Sequence, residues 1–356
     1  VVPVIGHHWL NDEFPMEWIS RLAGLGAFGP TLPREYGGHD LGSVASGLIM
    51  QELERGDSGL RSFASVQTGL VMYPVFTYGS VEQKKRWLPK LARGEAVGCF
   101  GLTEPDAGSD PGSMKTIAAR DGSDWLLTGS KMWITNGSIA DLAVVWAKDE
   151  SGVIRGFLVE KGMPGFAAQD IKGKMSLRAS VTSGLYLDHV RVPEANRLPQ
   201  AEGLKGPLSC LTQARFGIAW GVIGAATACY SECLEYARKR VAFGKPIASF
   251  QLIQEQLVDI LEEITKAQWL AYRLAQLKDA QKMTYEHVCL AKRNNVRMAL
   301  ETARKARSIL GAGGITIEYQ SLRHALNLES VYTYEGTHEI QTLIIGRDIT
   351  GISSFD

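Results

Sequence analysis

Ile253-Gln254-Glu255-Gln256-Leu257-Val258-Asp259-Ile260-Leu261-Glu262-Glu263-Ile264 places its apolar residues at helical intervals. The period continues through Ala271 and Leu274, so Gln251 to Lys278 is predicted to be one long helix. Working outward, Leu204 to Lys239 and Tyr285 to Leu310 have the same spacing. Long helices with short links pack as antiparallel bundles. Residues 204–356 are therefore expected to form a C-terminal four-helix bundle.

Upstream the character changes. Val97 to Leu102, Trp125-Leu126-Leu127, Leu142 to Trp146, Ile154 to Val159 and Leu185 to Leu187 read as short strands, with Asp121-Gly122 as a hairpin turn. Strands at this spacing without helices between them predict an antiparallel sheet or small barrel over residues 96–203. Residues 1–95 return to helical patterning. Met16 to Ala23 is a helix stopped by Gly24, and Pro30, Pro33 and Gly37-Gly38 make an irregular connector. Ser43 to Glu54 is a helix, a further one opens at Arg61 and ends before Gly79, and a short one spans Val81 to Leu91. The expected architecture is α+β in three domains: helical, β, helical.

The chain has 356 residues, and Lys+Arg and Asp+Glu each number 38, so its net charge is zero. That balance gives no general attraction to nucleic acid or to an anionic membrane. No apolar run is long enough for a membrane-spanning helix, so no membrane insertion is expected. The start, Val1 to Gly6, has neither the charged flank nor the apolar core of a signal peptide. The chain begins without Met, and an upstream segment is expected to be missing. Cys99, Cys210, Cys229, Cys233 and Cys289 lack metal-ligand spacing and are odd in number. They read as reduced thiols of an intracellular protein, in a bacterial cytoplasm or equally a mitochondrial matrix.

Four stretches carry chemistry. Phe100-Gly101-Leu102-Thr103-Glu104-Pro105-Asp106-Ala107-Gly108-Ser109-Asp110 follows a strand, and its N–H and hydroxyl groups suit a polar ring or a phosphate. An ordinary hairpin loop would also fit. In Lys131-Met132-Trp133-Ile134-Thr135-Asn136, a flat indole lies two residues from a hydroxyl on one strand face. A core tryptophan is the plainer reading. Arg238 to Ile247 is a basic cluster closed by Gly244 and Pro246, suited to a pyrophosphate or simply to a helix C-terminus. In Tyr332-Thr333-Tyr334-Glu335-Gly336-Thr337-His338-Glu339-Ile340-Gln341, Gly336 permits a sharp turn and Thr337 can cap a new helix. Glu335 would then project from a tight connection. Alone, this stretch is better explained as a cap beside a solvated Glu. A phosphate-loop lysine motif, a zincin pair and a nucleophile elbow are all absent, and no metal is expected.

These stretches, in this order, resemble the acyl-CoA dehydrogenase family over essentially the whole chain. Arg61-Ser62-Phe63-Ala64-Ser65-Val66-Gln67, Cys99 to Pro105, Ala214 to Gly221 and Thr333 to His338 are most similar to its subgroup acting on glutaryl-CoA. The resemblance implies FAD between the β-domain and the C-terminal bundle, lined by Phe100, Leu102, Thr103, Gly108 and Ser109, with Trp133 and Thr135 against the isoalloxazine. Arg240, Phe243, Gln251 and the Ser308 to Gly313 turn would reach the FAD of a neighbouring subunit in a homotetramer, while Thr337 and Glu339 match flavin-contacting positions. Glu335 would be the base that takes the α-proton of the acyl thioester. Ala214 stands where relatives acting on branched chains place their base. Arg61 and Ser65 would read a terminal carboxylate, with Glu54 aligning Arg61; Tyr334, Ser109 and Arg215 complete the implied acyl-CoA site. The implied reaction is oxidation of glutaryl-CoA with loss of CO2 to crotonyl-CoA, electrons passing to an electron-transfer flavoprotein. Alternatives are a non-decarboxylating dehydrogenase of glutaryl-CoA or another acidic acyl-CoA, and a binding protein without turnover. The family's leading helix is expected to be largely missing before Val1, and Ser308 stands where many relatives carry Gln.

Overall fold

The computed structural model describes residues 2–355. The N-terminal helices are α1 (Val2–Asn11), α2 (Trp18–Gly24), α3 (Ser43–Gly56), α4 (Ser58–Ser65), α5 (Tyr73–Tyr78) and α6 (Val81–Ala92). No helix is legible in the sequence before Met16, so α1 is an addition. The helix expected from Arg61 to Gly79 is α4 and α5 joined by a π-helical stretch, Val66–Met72. Asp57 starts it by accepting a hydrogen bond from the Gly59 N–H at 2.7 Å. Ser80 and Gln83 form a capping box that starts α6.

The strands are β1 (Gly98–Gly101), β2 (Ile117–Asp121), β3 (Asp124–Thr135), β4 (Leu142–Asp149), β5 (Ile154–Glu160), β6 (Phe166–Asp170) and β7 (Thr182–Pro193). They form one sheet in the order β1-β4-β2-β3-β7-β6, with β5 on β4. The sheet is mixed, whereas an antiparallel one was expected: β1 and β2 each pair with β4 in parallel. Periodicity reports which face a residue takes, not the direction of its partner, and the β2–β3 hairpin lies between β1 and β4 in the chain. β4 is buried on both faces. Leu142, Val144 and Trp146 join the helical core, while Ala143, Val145 and Ala147 join a second core inside the β-region with Trp125 and Phe157.

The C-terminal helices are α7 (Lys205–Lys239), α8 (Gln251–Asp279), α9 (Tyr285–Ile309), α10 (Ser321–Thr333) and α11 (His338–Thr350), with a β8–β9 hairpin (Val241–Ala242, Lys245–Pro246) before α8. α9 packs on α7, α8 and α10, α7 also touches α8 and α10, and α11 lies along α9. α3 packs against α7 at unusually short range. A Cβ at Gly224 would sit 1.8 Å from the Gln51 carbonyl, and one at Gly47 would sit 2.4 Å from the Trp220 ring. Side chains there would push the helices apart.

Buried polar groups tie the three parts together. Gln67 donates to the carbonyls of Leu91 and Ala96 and accepts from Gly98 N–H, locking the start of β1 to the helices. Asn327 on α10 accepts from the Trp9 indole at 2.8 Å and from Leu177 N–H at 2.9 Å. Its amide also donates to buried Asp57, which is paired with Arg323. Thus α1, the β-region and α10 meet just before the Glu335 loop. Among the described residues, no helix is long and apolar enough to cross a membrane.

Candidate active site

Glu335 lies between α10 and α11 with φ +52°, and Gly336 follows with φ +88°. A left-handed Glu carries strain of about 1–3 kcal/mol, which a fold retains where geometry matters. Thr337 caps α11, its hydroxyl accepting from Ile340 N–H at 3.2 Å. The residue is half-buried, but carboxylate Oε2 is buried without a hydrogen-bond partner. Burial raises the Glu335 pKa above the usual carboxylate range, against the opposing pull of Arg61, Lys292 and Arg215.

Arg61 on α4 is fully buried. Its Nε donates to Glu54 Oε2 on α3 at 2.6 Å, and Nη2 donates to the Tyr334 hydroxyl. Nη1 is buried with no partner. Burial works against the charge, but Glu54 and Tyr334 outweigh it and keep the guanidinium protonated. Gly221 on α7 leaves room for the pair, since a Cβ there would meet Glu54 Oε2 at 2.2 Å. Ser65, one turn after Arg61 on α4, is also buried. A buried cation with one free donor is an arrangement for a ligand bearing a negative group, and the same cation acts electrostatically on Glu335.

The expectation put Arg215 against the acyl-CoA. In the structure its Nε donates to the Glu335 carbonyl at 2.6 Å, so it touches the backbone of Glu335. Two further contributors are not legible in the sequence. Lys292 on α9 donates to the carbonyls of Tyr334 and Gly336, and Gln341 donates to those of Glu335 and Gly336. The available signal for Lys292 was a charge within the buried stripe Val288, Cys289, Ala291, Asn295, Val296 and Ala299.

The first two chemistry-bearing stretches also come together. Met132 N–H donates to the Thr103 carbonyl at 2.9 Å. Buried Lys131 donates to the Leu102 carbonyl and to Glu104 Oε1 at 2.8 Å. Burial lowers the Lys131 pKa to about 8 despite Glu104. A bulge between Lys131 and Ile134 turns Trp133 outward with φ +62° and leaves it 60% exposed. The plainer reading, a core tryptophan, does not hold. Phe100 and Leu102 are buried, Thr103 and Thr135 half-buried, and Gly108 and Ser109 exposed. A Cβ at Gly108 would meet nothing within 4 Å.

An indole held out by a bulge, beside backbone and hydroxyl donors, fits the isoalloxazine that the resemblance implies. Trp133→Ala should therefore yield protein with substoichiometric flavin after desalting. Fold stability should move by no more than about 0.5 kcal/mol, since the side chain is exposed. The ratio of flavin to protein absorbance and a denaturant midpoint check both. Arg240 ends α7, Phe243 lies in the β8–β9 turn and Gln251 in the first turn of α8, all exposed, with Phe243 at 96%. No hydrogen bond among the described residues joins them to the Phe100–Ser109 segment. Thr337 is half-buried, and Glu339 and Ser308 are exposed.

Residues 1–95, 99–190 and 201–350 match the sequence profiles of the acyl-CoA dehydrogenase N-terminal, middle and C-terminal domains. The chain is 36% identical to a glutaryl-CoA dehydrogenase of Desulfococcus multivorans over 99% of its own length and 93% of that protein. It is 34% identical to the human mitochondrial short-chain specific acyl-CoA dehydrogenase, over 93% and 82%. A crystal structure of a glutaryl-CoA dehydrogenase from Mycobacterium smegmatis in complex with FADH2 superposes with a TM-score of 0.98 at 50% identity, covering 100% of this chain and 92% of that one. The first two figures lie so close that identity alone does not choose the acyl chain; the residues around Arg61 must.

Proposed function

This chain belongs to the acyl-CoA dehydrogenase family of FAD-dependent oxidoreductases, and we propose that it oxidises glutaryl-CoA and decarboxylates the product to crotonyl-CoA. The observation that carries this reading is Arg61: fully buried, aligned by Glu54, with Nη1 unpartnered. A straight apolar acyl chain would leave that donor unsatisfied, at a cost of about 1–3 kcal/mol. A terminal carboxylate supplies the missing acceptor. Two glutaryl-CoA dehydrogenases among the relatives support the same choice.

In this reading the bound flavin supplies the acceptor for the hydride leaving the substrate β-carbon. Glu335 takes the α-proton, and N–H groups of its loop stabilise the developing enolate oxygen. The raised pKa of Glu335 brings its proton affinity toward that of a working base. Phe100, Leu102, Thr103, Gly108, Ser109, Trp133 and Thr135 would hold the flavin, with Thr337 and Glu339 at its nucleotide part. Arg61 and Ser65 hold the distal carboxylate while the first proton moves. The bond from the γ-carbon to that carboxylate then breaks, CO2 leaves, and the electron pair enters a dienolate. Protonated Glu335 returns its proton to the γ-carbon, giving crotonyl-CoA and restoring the base. The flavin's electrons pass to an electron-transfer flavoprotein. Exposed Arg240, Phe243 and Gln251 complete the FAD site of a neighbouring subunit in a homotetramer. The domains divide near residues 95 and 203.

The test is a product assay. Glutaryl-CoA with an electron acceptor should yield crotonyl-CoA and CO2 in equal amounts. Accumulation of glutaconyl-CoA without CO2 would assign the protein to oxidation alone, and a colourless, inert protein would make it a binding protein.

A further inference from the structure

The loop carrying Glu335 turns its carbonyls inward. The Glu335 carbonyl accepts from Arg215 Nε, and Gln341 Nε2 bridges the Glu335 and Gly336 carbonyls at 3.3 and 3.1 Å. The carbonyls on either side of Glu335, those of Tyr334 and Gly336, both accept from the Lys292 ammonium, the latter at 2.6 Å. Lys292 is 2% exposed, and its third contact is the Tyr334 ring, 5.9 Å from the nitrogen to the centroid. Its donors arrive from α9, Arg215 from α7 and Gln341 from α11, so three helices converge on one turn.

We propose that Lys292 is a positioning residue for the base: by holding the carbonyls on both sides of Glu335, it fixes the left-handed turn that aims the carboxylate and the loop's N–H groups at the substrate. This rests on the reading of Glu335 as the base. Removing an ammonium from water costs several kcal/mol even after relaxation. Holding Glu335 at φ +52° adds a further, smaller cost. Both costs fall on a single turn, and Lys292 is what couples them. With the ammonium in place, rotating the Tyr334–Glu335 peptide or the Gly336–Thr337 peptide breaks a charge-assisted hydrogen bond in a buried site, while the Glu335–Gly336 peptide between them is held by Arg215 and Gln341. Without it, the turn can relax toward negative φ, and the carboxylate swings away.

The electrostatic surroundings point the same way. Facing the Lys292 and Glu335 pair are Arg61 from α4, Arg215 from α7, Cys289 from α9 itself and the Tyr334 hydroxyl. Burial drives the Lys292 pKa down and Glu335 opposes it, while Lys292 is among the cations opposing the burial-driven rise at Glu335. Loss of Lys292 therefore raises the proton affinity of Glu335 further and displaces its carboxylate at the same time.

The test uses FAD-loaded Lys292→Met and Lys292→Arg, read by anaerobic bleaching of the flavin with glutaryl-CoA from acid to neutral pH. Lys292→Met should bleach about 10²-fold more slowly at saturating substrate, the loss expected when a reacting group is misplaced by about an ångström. Half-saturation should stay nearly unchanged, and the acid limb of the profile should move to higher pH. Lys292→Arg, which keeps charge and donors, should recover most of the rate. A wild-type rate and profile in Lys292→Met would overturn the proposal. So would an Arg variant as slow as Met, or loss of flavin and fold in both, which would make Lys292 a folding residue. Glu335→Gln runs alongside. Near-normal bleaching there sinks the base assignment and this proposal with it, whereas an inert Glu335→Gln beside an unaffected Lys292→Met sinks the Lys292 role alone.

Discussion

Glu335→Gln should leave a folded, yellow protein whose flavin glutaryl-CoA bleaches about 10²–10⁴-fold more slowly than in the wild type, the span that a positioned general base contributes. The amide keeps the shape of the carboxyl and cannot accept the α-proton. The loop should stay in place because its anchors, Lys292, Arg215 and Gln341, hold backbone carbonyls and not the side chain. Stability should move opposite to activity. Burial lifts the folded pKa of Glu335 above its unfolded value. A carboxyl shifted in that direction stabilises the fold when protonated, below the unfolded pKa, and that contribution is lost as pH rises through the folded pKa. At neutral pH the ionised side chain thus costs folding free energy, and neutral Gln removes the cost. A higher melting temperature with little bleaching is the expected pair of results. Rapid bleaching by this variant would remove Glu335 from the chemistry.

The same sign sets the wild-type profile. As the proposed base, Glu335 would act only when ionised, so the rate of flavin reduction should fall as pH drops through a pKa held above the ordinary carboxylate range. Arg61 stays protonated throughout and adds no limb of its own near neutrality.

Much of this was legible in the chain because the signals are local. Helices α7, α8 and α9 announce themselves through unbroken periodicity, and the turn at Glu335-Gly336-Thr337 through one glycine and one cap. The missed elements lack such signals. β6 alternates half-buried and exposed residues, its inward face offers only Phe166 and Ala168, and its existence depends on pairing with β7. α1 is held by Trp9 reaching Asn327, a partner 318 positions away. Trp133 could not be placed because the bulge that turns it outward arises from register with β7. Lys292 was hidden for a related reason. A lone lysine in a buried helical stripe shows that something must satisfy it, but only the fold shows that the partners are two carbonyls beside Glu335.

Arg61→Met should separate substrates. For glutaryl-CoA, kcat/KM should fall by about 10²-fold or more, since a hydrogen bond to a charged group contributes about 1.5–3 kcal/mol and a buried carboxylate left without it loses still more. For butyryl-CoA, which has nothing to offer Nη1, the fall should stay within about tenfold. Stability complicates the reading, because Glu54 is fully buried and Arg61 is its partner. Removing one member of a buried pair costs about 3–5 kcal/mol, mostly from the charge left behind. The double variant Glu54→Gln with Arg61→Met removes both charges and should recover most of that stability. It should not recover glutaryl-CoA turnover, because the group that reads the second carboxylate is still gone. Comparing both substrates in both variants therefore separates recognition from folding. An equal loss for glutaryl-CoA and butyryl-CoA in the stabilised double variant would make Arg61 a structural partner of Glu54, and the choice of an acidic acyl chain would lose its physical basis.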